Sequence, residues 1–171
     1  MNHSFDELLE IHSRLDELFL EHQRGLLRLD LTVATAALEA YELELFAHMA
    51  DEEDFMLPVY EERAVPPEGG AAEIFRGEHQ KLRQYVVLFK DALGKLRDAK
   101  DLEKGVIWLL DSQTTFKRLQ VHHDTREKKM LYPLLDEVMT AKEREELFKK
   151  LRLPPLGAGF RAVKTMGVFD L

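Results

Sequence analysis

The 171-residue sequence contains no cysteine. That absence excludes disulfides, iron–sulfur clusters and thiolate-bound zinc within the chain. Any metal would have to be held by imidazole and carboxylate. Apolar runs of membrane-spanning length are also missing, and the opening MNHSFDELLE lacks the basic and apolar regions of a secretory signal. A soluble, cytoplasmic protein without a membrane role is the expectation. There is no basic surplus: 24 Lys and Arg face 32 Asp and Glu, a net charge of −8. Nucleic acid is therefore not an expected partner, because phosphate contacts need clustered cations. Short basic runs such as Arg126, Lys128 and Lys129 alternate with acids and read as a solvated helix face. Strand-type alternation is nearly absent.

The composition that remains, 45% hydrophobic and 33% charged, belongs to a folded chain with a substantial core. Helical periodicity dominates. One segment runs from about Ser4 to Leu29, with an apolar stripe through Phe5, Leu8, Leu15, Phe19 and Leu26. A turn around LDLT (29–32), with Asp30 or Thr32 as N-cap, starts a second, whose stripe is Leu38, Tyr41, Leu45, Phe55 and Val59. VPPEGG (65–70) is the clearest break. A third segment carries Phe75, Leu82, Val86, Phe89, Leu93 and Leu96. After RDAKD (97–101) a fourth carries Leu109, Phe116, Leu119, Met130 and Leu134. TAKE (140–143) has the form of a capping box and predicts a short fifth helix. Long helices with short connections predict an all-α, antiparallel up-down-up-down four-helix bundle over residues 1–151. A tail broken by proline and glycine follows at 152–171.

Two stretches share one skeleton: HMADEEDFMLP (48–58) and HHDTREKKMLYP (122–133). Each places a glutamate four residues after a histidine and a proline ten residues after it. The matched triples are His48, Glu52, Pro58 and His123, Glu127, Pro133. Both histidine–glutamate pairs fall in phase with apolar stripes, as do His12 on the first segment and His79 on the third. An inward carboxylate is costly unless paired or bound to a cation. At about 1.5 Å rise per residue, His12 and His48 lie at one level of the first hairpin, and His79 and His123 nearly match in the second. His12, His48, Glu52, His79, His123 and Glu127 are therefore the candidate metal ligands, and imidazole favours iron, manganese or zinc over calcium. His22 falls about 15 Å away along the same stripe, opposite Leu38, and reads as a core or rim residue. His3 reads as terminal and solvated, His122 as exposed. Phe55, Met56, Met130 and Leu131 are expected to wall the site, Tyr132 to pack in the core, and Pro58 and Pro133 to kink or loosen their helices or else to end them.

The paired H-x-x-x-E-x-x-x-x-x-P motif, together with IHSRLDELF (11–19) and GEHQKLR (77–83), resembles the hemerythrin-like (HHE cation-binding) family over about residues 5–140. That resemblance implies an oxo- or hydroxo-bridged pair of non-haem irons. It puts His12 and His48 on one iron, His79 and His123 on the other, and Glu52 and Glu127 between them. Glu53 has no acidic counterpart at Lys128 and reads as a neighbour only. One departure stands out. The oxygen carriers of the family have a fifth histidine one turn from His79, where this chain has Phe75, Arg76, Leu82 and Arg83. More open coordination positions follow, so oxygen or redox sensing, iron handling or peroxide chemistry compete with simple O2 carriage. O2 or another small diatomic or peroxide ligand is the expected partner, with zinc or manganese as alternative metals. An oxidase- or peroxidase-type enzyme is the second reading. A metal-free or zinc-bound helical module, docking a protein partner through the tail, is the third.

Overall fold

A computed structural model of the chain describes residues 3–156. All regular structure among them is helical. Helix α1 (Leu9–Leu27) follows a 3-10 turn at Phe5–Leu8 that Ser4 and Glu7 close as a capping box. Helix α2 (Leu31–Asp51) runs through a wide turn (Glu52–Met56) into α3 (Leu57–Arg63). Helix α4 (Ala72–Leu96) and helix α5 (Leu102–Arg126) form the second hairpin. Helix α5 runs through its own wide turn (Glu127–Leu131) into α6 (Tyr132–Val138). The four long rods make the expected antiparallel bundle. The short helix α7 (Ala141–Phe148) starts at the Thr140–Glu143 capping box.

Short polar side chains punctuate the rods. Asp30, rather than Thr32, caps α2 by accepting from the N–H groups of Thr32 and Val33. Asp101 caps α5 through Lys104 N–H. The first hairpin is tight enough that Leu29 adopts a left-handed φ of 56°. The helices also approach backbone to backbone: a Cβ added at Gly25 would lie 2.6 Å from the Ala34 amide nitrogen. Gly25→Ala is therefore expected to cost about 1–3 kcal/mol by overpacking, read as a lower urea midpoint. An unchanged midpoint would contradict the close approach.

One continuous apolar core fills the bundle interior, with aromatic groups in both halves. Phe19, Tyr41, Phe89 and Phe116 pack in one half, with Phe19 and Phe116 ring centres 5.0 Å apart. Phe5, Tyr60, Phe75 and Tyr132 are fully buried in the other. Helix α7 closes this second end: Phe148 packs against Phe5, and Arg144 donates to the His3 carbonyl at 2.7 Å. His3 is therefore not simply solvated; its ring stacks on Phe148 at 4.4 Å. His22 is fully buried as a core residue, bonded to the Ala34 carbonyl at 2.8 Å and to Gln113 Nε2 at 2.8 Å. His122 is exposed.

The stripes of the first and third segments are buried as expected. In the second and fourth the expected phase fails beyond the glutamates. Phe55, Val59, Met130 and Leu134 are only partly buried, while Met56, Tyr60, Leu131 and Leu135 are fully inside. The inward face has moved by one residue in both helices. The cause is the wide turn, which inserts one extra residue into each rod.

Of the expected tail, the first residues dock on the bundle. Asp51 accepts from the backbone N–H groups of Arg152 and Leu153 and pairs with the Arg152 guanidinium at 3.0 Å. Residues 157–171, and with them most of the segment expected to reach a partner, lie outside the described residues. Among the described residues no helix is long and apolar enough to cross a membrane.

Candidate metal centre

The wide turns occur where the repeated motif places glutamate and proline. Proline has no N–H and its ring collides with the carbonyl four residues back. In each rod the residue before the proline reaches five residues back instead: Leu57 N–H bonds to the Glu52 carbonyl and Tyr132 N–H to the Glu127 carbonyl. These are π-turns, a form often found at functional sites. Pro58 and Pro133 therefore loosen their helices without ending them, since α3 and α6 continue for seven residues each.

The structure brings all six candidate residues together at mid-bundle. His12 Nε2 and His48 Nε2 are 3.1 Å apart. Glu127 lies 3.0 Å from His12 Nε2 through Oε2 and 2.7 Å from His123 Nε2 through Oε1. Glu52 lies 3.6 Å from His48 Nε2 through Oε1 and 3.2 Å from His79 Nε2 through Oε2. One potential ligand atom each from Glu52, His79, His123 and Glu127 falls within 4.8 Å of the others, and the same holds for His12, His48 and Glu127. Glu127 belongs to both groups. Each of the six is at most 7% exposed.

Tyr132 does more than pack. Its hydroxyl, fully buried, donates to Glu52 Oε1 at 2.8 Å and lies 3.2 Å from His12 Nε2. The apolar wall is thinner than expected: Met56 and Leu131 are buried, but Phe55 and Met130 are only partly so. Phe75 adds to it, edge-on to the His123 ring at 6.5 Å. This is one of the positions where the oxygen carriers would place their fifth histidine.

Two carboxylates outside the six were missed or underrated. Glu53 takes His79 Nδ1 at 2.9 Å and so is more than a neighbour. Glu78 takes His123 Nδ1 at 3.1 Å. Each is also held by an arginine, Arg83 and Arg126 respectively. Arg126 therefore does not belong to the solvated face. Nothing in the local spacing marks these contacts, because each joins two different helices.

The charges are unevenly shared. Burial pushes the His12 imidazole down, but the Glu127 carboxylate outweighs it and raises His12 to about 9. His48, buried and facing a charged His12, falls to about 3. Burial opposes protonation of His79 too, yet Glu127, Glu52 and Glu53 together raise it to about 10. His123 is raised well above its ordinary value by Glu127 and Glu78 against the same burial. Burial and the Glu127 charge lift Glu52 to about 7. Glu127 itself is pushed up by burial, but the facing histidines win and hold it well below the carboxylate range. Without a cation, protons on His12, His79 and His123 balance the carboxylates at the bundle's centre.

That balance leaves atoms unserved. Glu52 Oε2, Glu127 Oε1 and His79 Nε2 are buried without a well-aligned hydrogen bond: His79 Nε2 lies 3.2 and 3.8 Å from the two oxygens, and Glu127 Oε1 also has its 2.7 Å ion-pair contact with His123 Nε2. Buried polar atoms are almost always satisfied. Three that point at one another fit a cation between them, and imidazole with carboxylate is a donor set for transition metals. The buried cluster can hold a metal.

The sequence model of the hemerythrin HHE cation-binding domain matches residues 3–135. No curated protein and no solved structure gives a significant match.

Proposed function

The chain belongs to the hemerythrin HHE cation-binding domain family, and from that premise we propose that its buried cluster holds two non-haem irons. There it would bind O2 or a related small diatomic or peroxide ligand, in oxygen or redox sensing or in iron handling. His12 and His48 serve one iron in this reading, His79 and His123 the other, and Glu52 and Glu127 are shared. The observation that carries it is the set of buried atoms Glu52 Oε2, Glu127 Oε1 and His79 Nε2, which face one another without a well-aligned hydrogen bond. Bound iron would supply redox chemistry and an open position for a small ligand.

The chain's own residues support that role in two ways. The six residues are themselves buried, with Phe75 edge-on to His123, and this burial strengthens every charge interaction among them. The Tyr132 hydroxyl fixes the orientation of Glu52 by a hydrogen bond.

Protein expressed in iron-replete medium tests the proposal. About two irons per chain are expected, following the division of the donors into two histidine pairs. Charge-transfer absorption should shift with azide and bleach with dithionite. Zinc or manganese at the same stoichiometry would retain the site and remove the O2 reading. A chain carrying no transition metal would be a helical interaction module.

A further inference from the structure

The two halves of the cluster differ in what stands behind their imidazoles. His79 Nδ1 meets Glu53, and Arg83 grips both oxygens of Glu53 at 2.8 and 2.9 Å. His123 Nδ1 meets Glu78, whose Oε1 takes Arg126 Nη2 at 3.1 Å. Arg126 is itself anchored by donating to the Gly69 carbonyl at 2.9 Å. Each arginine sits one turn beyond its histidine on the same helix. Two histidine–carboxylate–arginine chains therefore converge on one side of the centre. Among the described residues, neither His12 nor His48 has a carboxylate within ion-pair distance of its Nδ1.

A carboxylate on the far ring nitrogen fixes the tautomer, aims the Nε2 lone pair inward and makes the ring a stronger donor. An arginine fork keeps that carboxylate anionic and still. Both effects act on His79 and His123 alone. Glu53 and Glu78 also raise the proton affinity of these rings, but a dication feels twice the Coulomb attraction of a proton at a given distance.

We propose that the two cation positions are unequal: the His79–His123 position binds more tightly and fills first, with Glu53 and Glu78 as the positioning residues that make it so. The His12–His48 position fills second. This rests on the two-cation reading above.

Titration of the metal-free full chain with Co2+, followed by calorimetry and by the visible absorption of the bound ion, tests it. The wild-type chain should show two steps. Glu53→Gln with Glu78→Gln keeps shape and hydrogen-bonding capacity but removes charge. It should weaken the first step by about 10–100-fold and leave the second within about 3-fold. His48→Ala should retain the tight step and lose the weak one, and it decides alone if the double variant does not fold. Two equal steps in the wild type, equal weakening of both steps, or loss of the tight step in His48→Ala would each overturn the proposal. A wild-type chain that binds no Co2+ would instead defeat the metal reading itself.

Discussion

Glu127→Ala is expected to empty the centre of metal and to destabilise the metal-free fold. Glu127 is the residue common to both groups of potential ligand atoms, in contact with His12 and His123 at 3.0 and 2.7 Å. Losing it should weaken metal binding by more than the roughly 100-fold upper range for removing a residue that only orients a ligand. In the metal-free chain it is the anion common to protonated His12, His79 and His123. Removing one partner of a buried charge cluster costs about 3–5 kcal/mol, because the others stay buried without it. At roughly 2–4 °C per kcal/mol, the metal-free melting temperature should fall by about 6–20 °C. Elemental analysis and a thermal melt read the two effects separately. Glu127→Gln, which keeps the shape, should lose the metal with a smaller drop in melting temperature. Full metal content in Glu127→Ala would remove this residue from the centre.

The pH dependence should reverse between the metal-free and metal-loaded chains. His12 and His79 hold their protons to about 9 and about 10 in the metal-free fold, the carboxylates outweighing burial. Their stabilisation is present in full below the unfolded value near 6.5 and disappears as pH climbs through 9 and 10. Glu127 has the opposite sign: held low, it stabilises above the ordinary carboxylate range and that contribution is lost on acidification. The metal-free chain should therefore melt highest at mildly acidic pH, between the ordinary carboxylate and imidazole values, and progressively lower from neutrality toward pH 10. Metal must displace the protons on His12, His79 and His123 and the partial proton on Glu52, so loading at pH 7 should release about three to four protons per chain. Calorimetry in two buffers of different ionisation enthalpy counts them. Metal affinity should then rise with pH over the range in which the metal-free fold weakens. Loading without proton release would mean that these histidines do not take up the metal.

Much of this was readable along the chain. The all-helical bundle follows from four apolar stripes, the short connections LDLT and RDAKD, and a cap at Asp30 or Thr32, of which the structure uses Asp30. The repeated His–Glu–Pro spacing marked four of the six residues that the structure brings together, and stripe phase with matched depth marked His12 and His79, since a cluster built at regular offsets on long helices leaves a periodic trace. Two things were hidden. The inward face slips by one residue after Glu52 and Glu127, so Met56 and Leu131 replace Phe55 and Met130 inside. A period of 3.6 carries no sign of a π-turn, and the prolines that mark it read equally well as helix ends. Tyr132 likewise looked like packing until its hydroxyl fell within 2.8 Å of Glu52.

The sequence by itself determined which donors this protein can offer a metal, no thiolate and four inward imidazoles, and on which helices they ride. Only the tertiary structure decided what stands behind those donors. Glu53 reaches His79 and Glu78 reaches His123 across helix boundaries. Such contacts depend on the relative rotation and depth of packed helices, which neighbours along a chain do not encode.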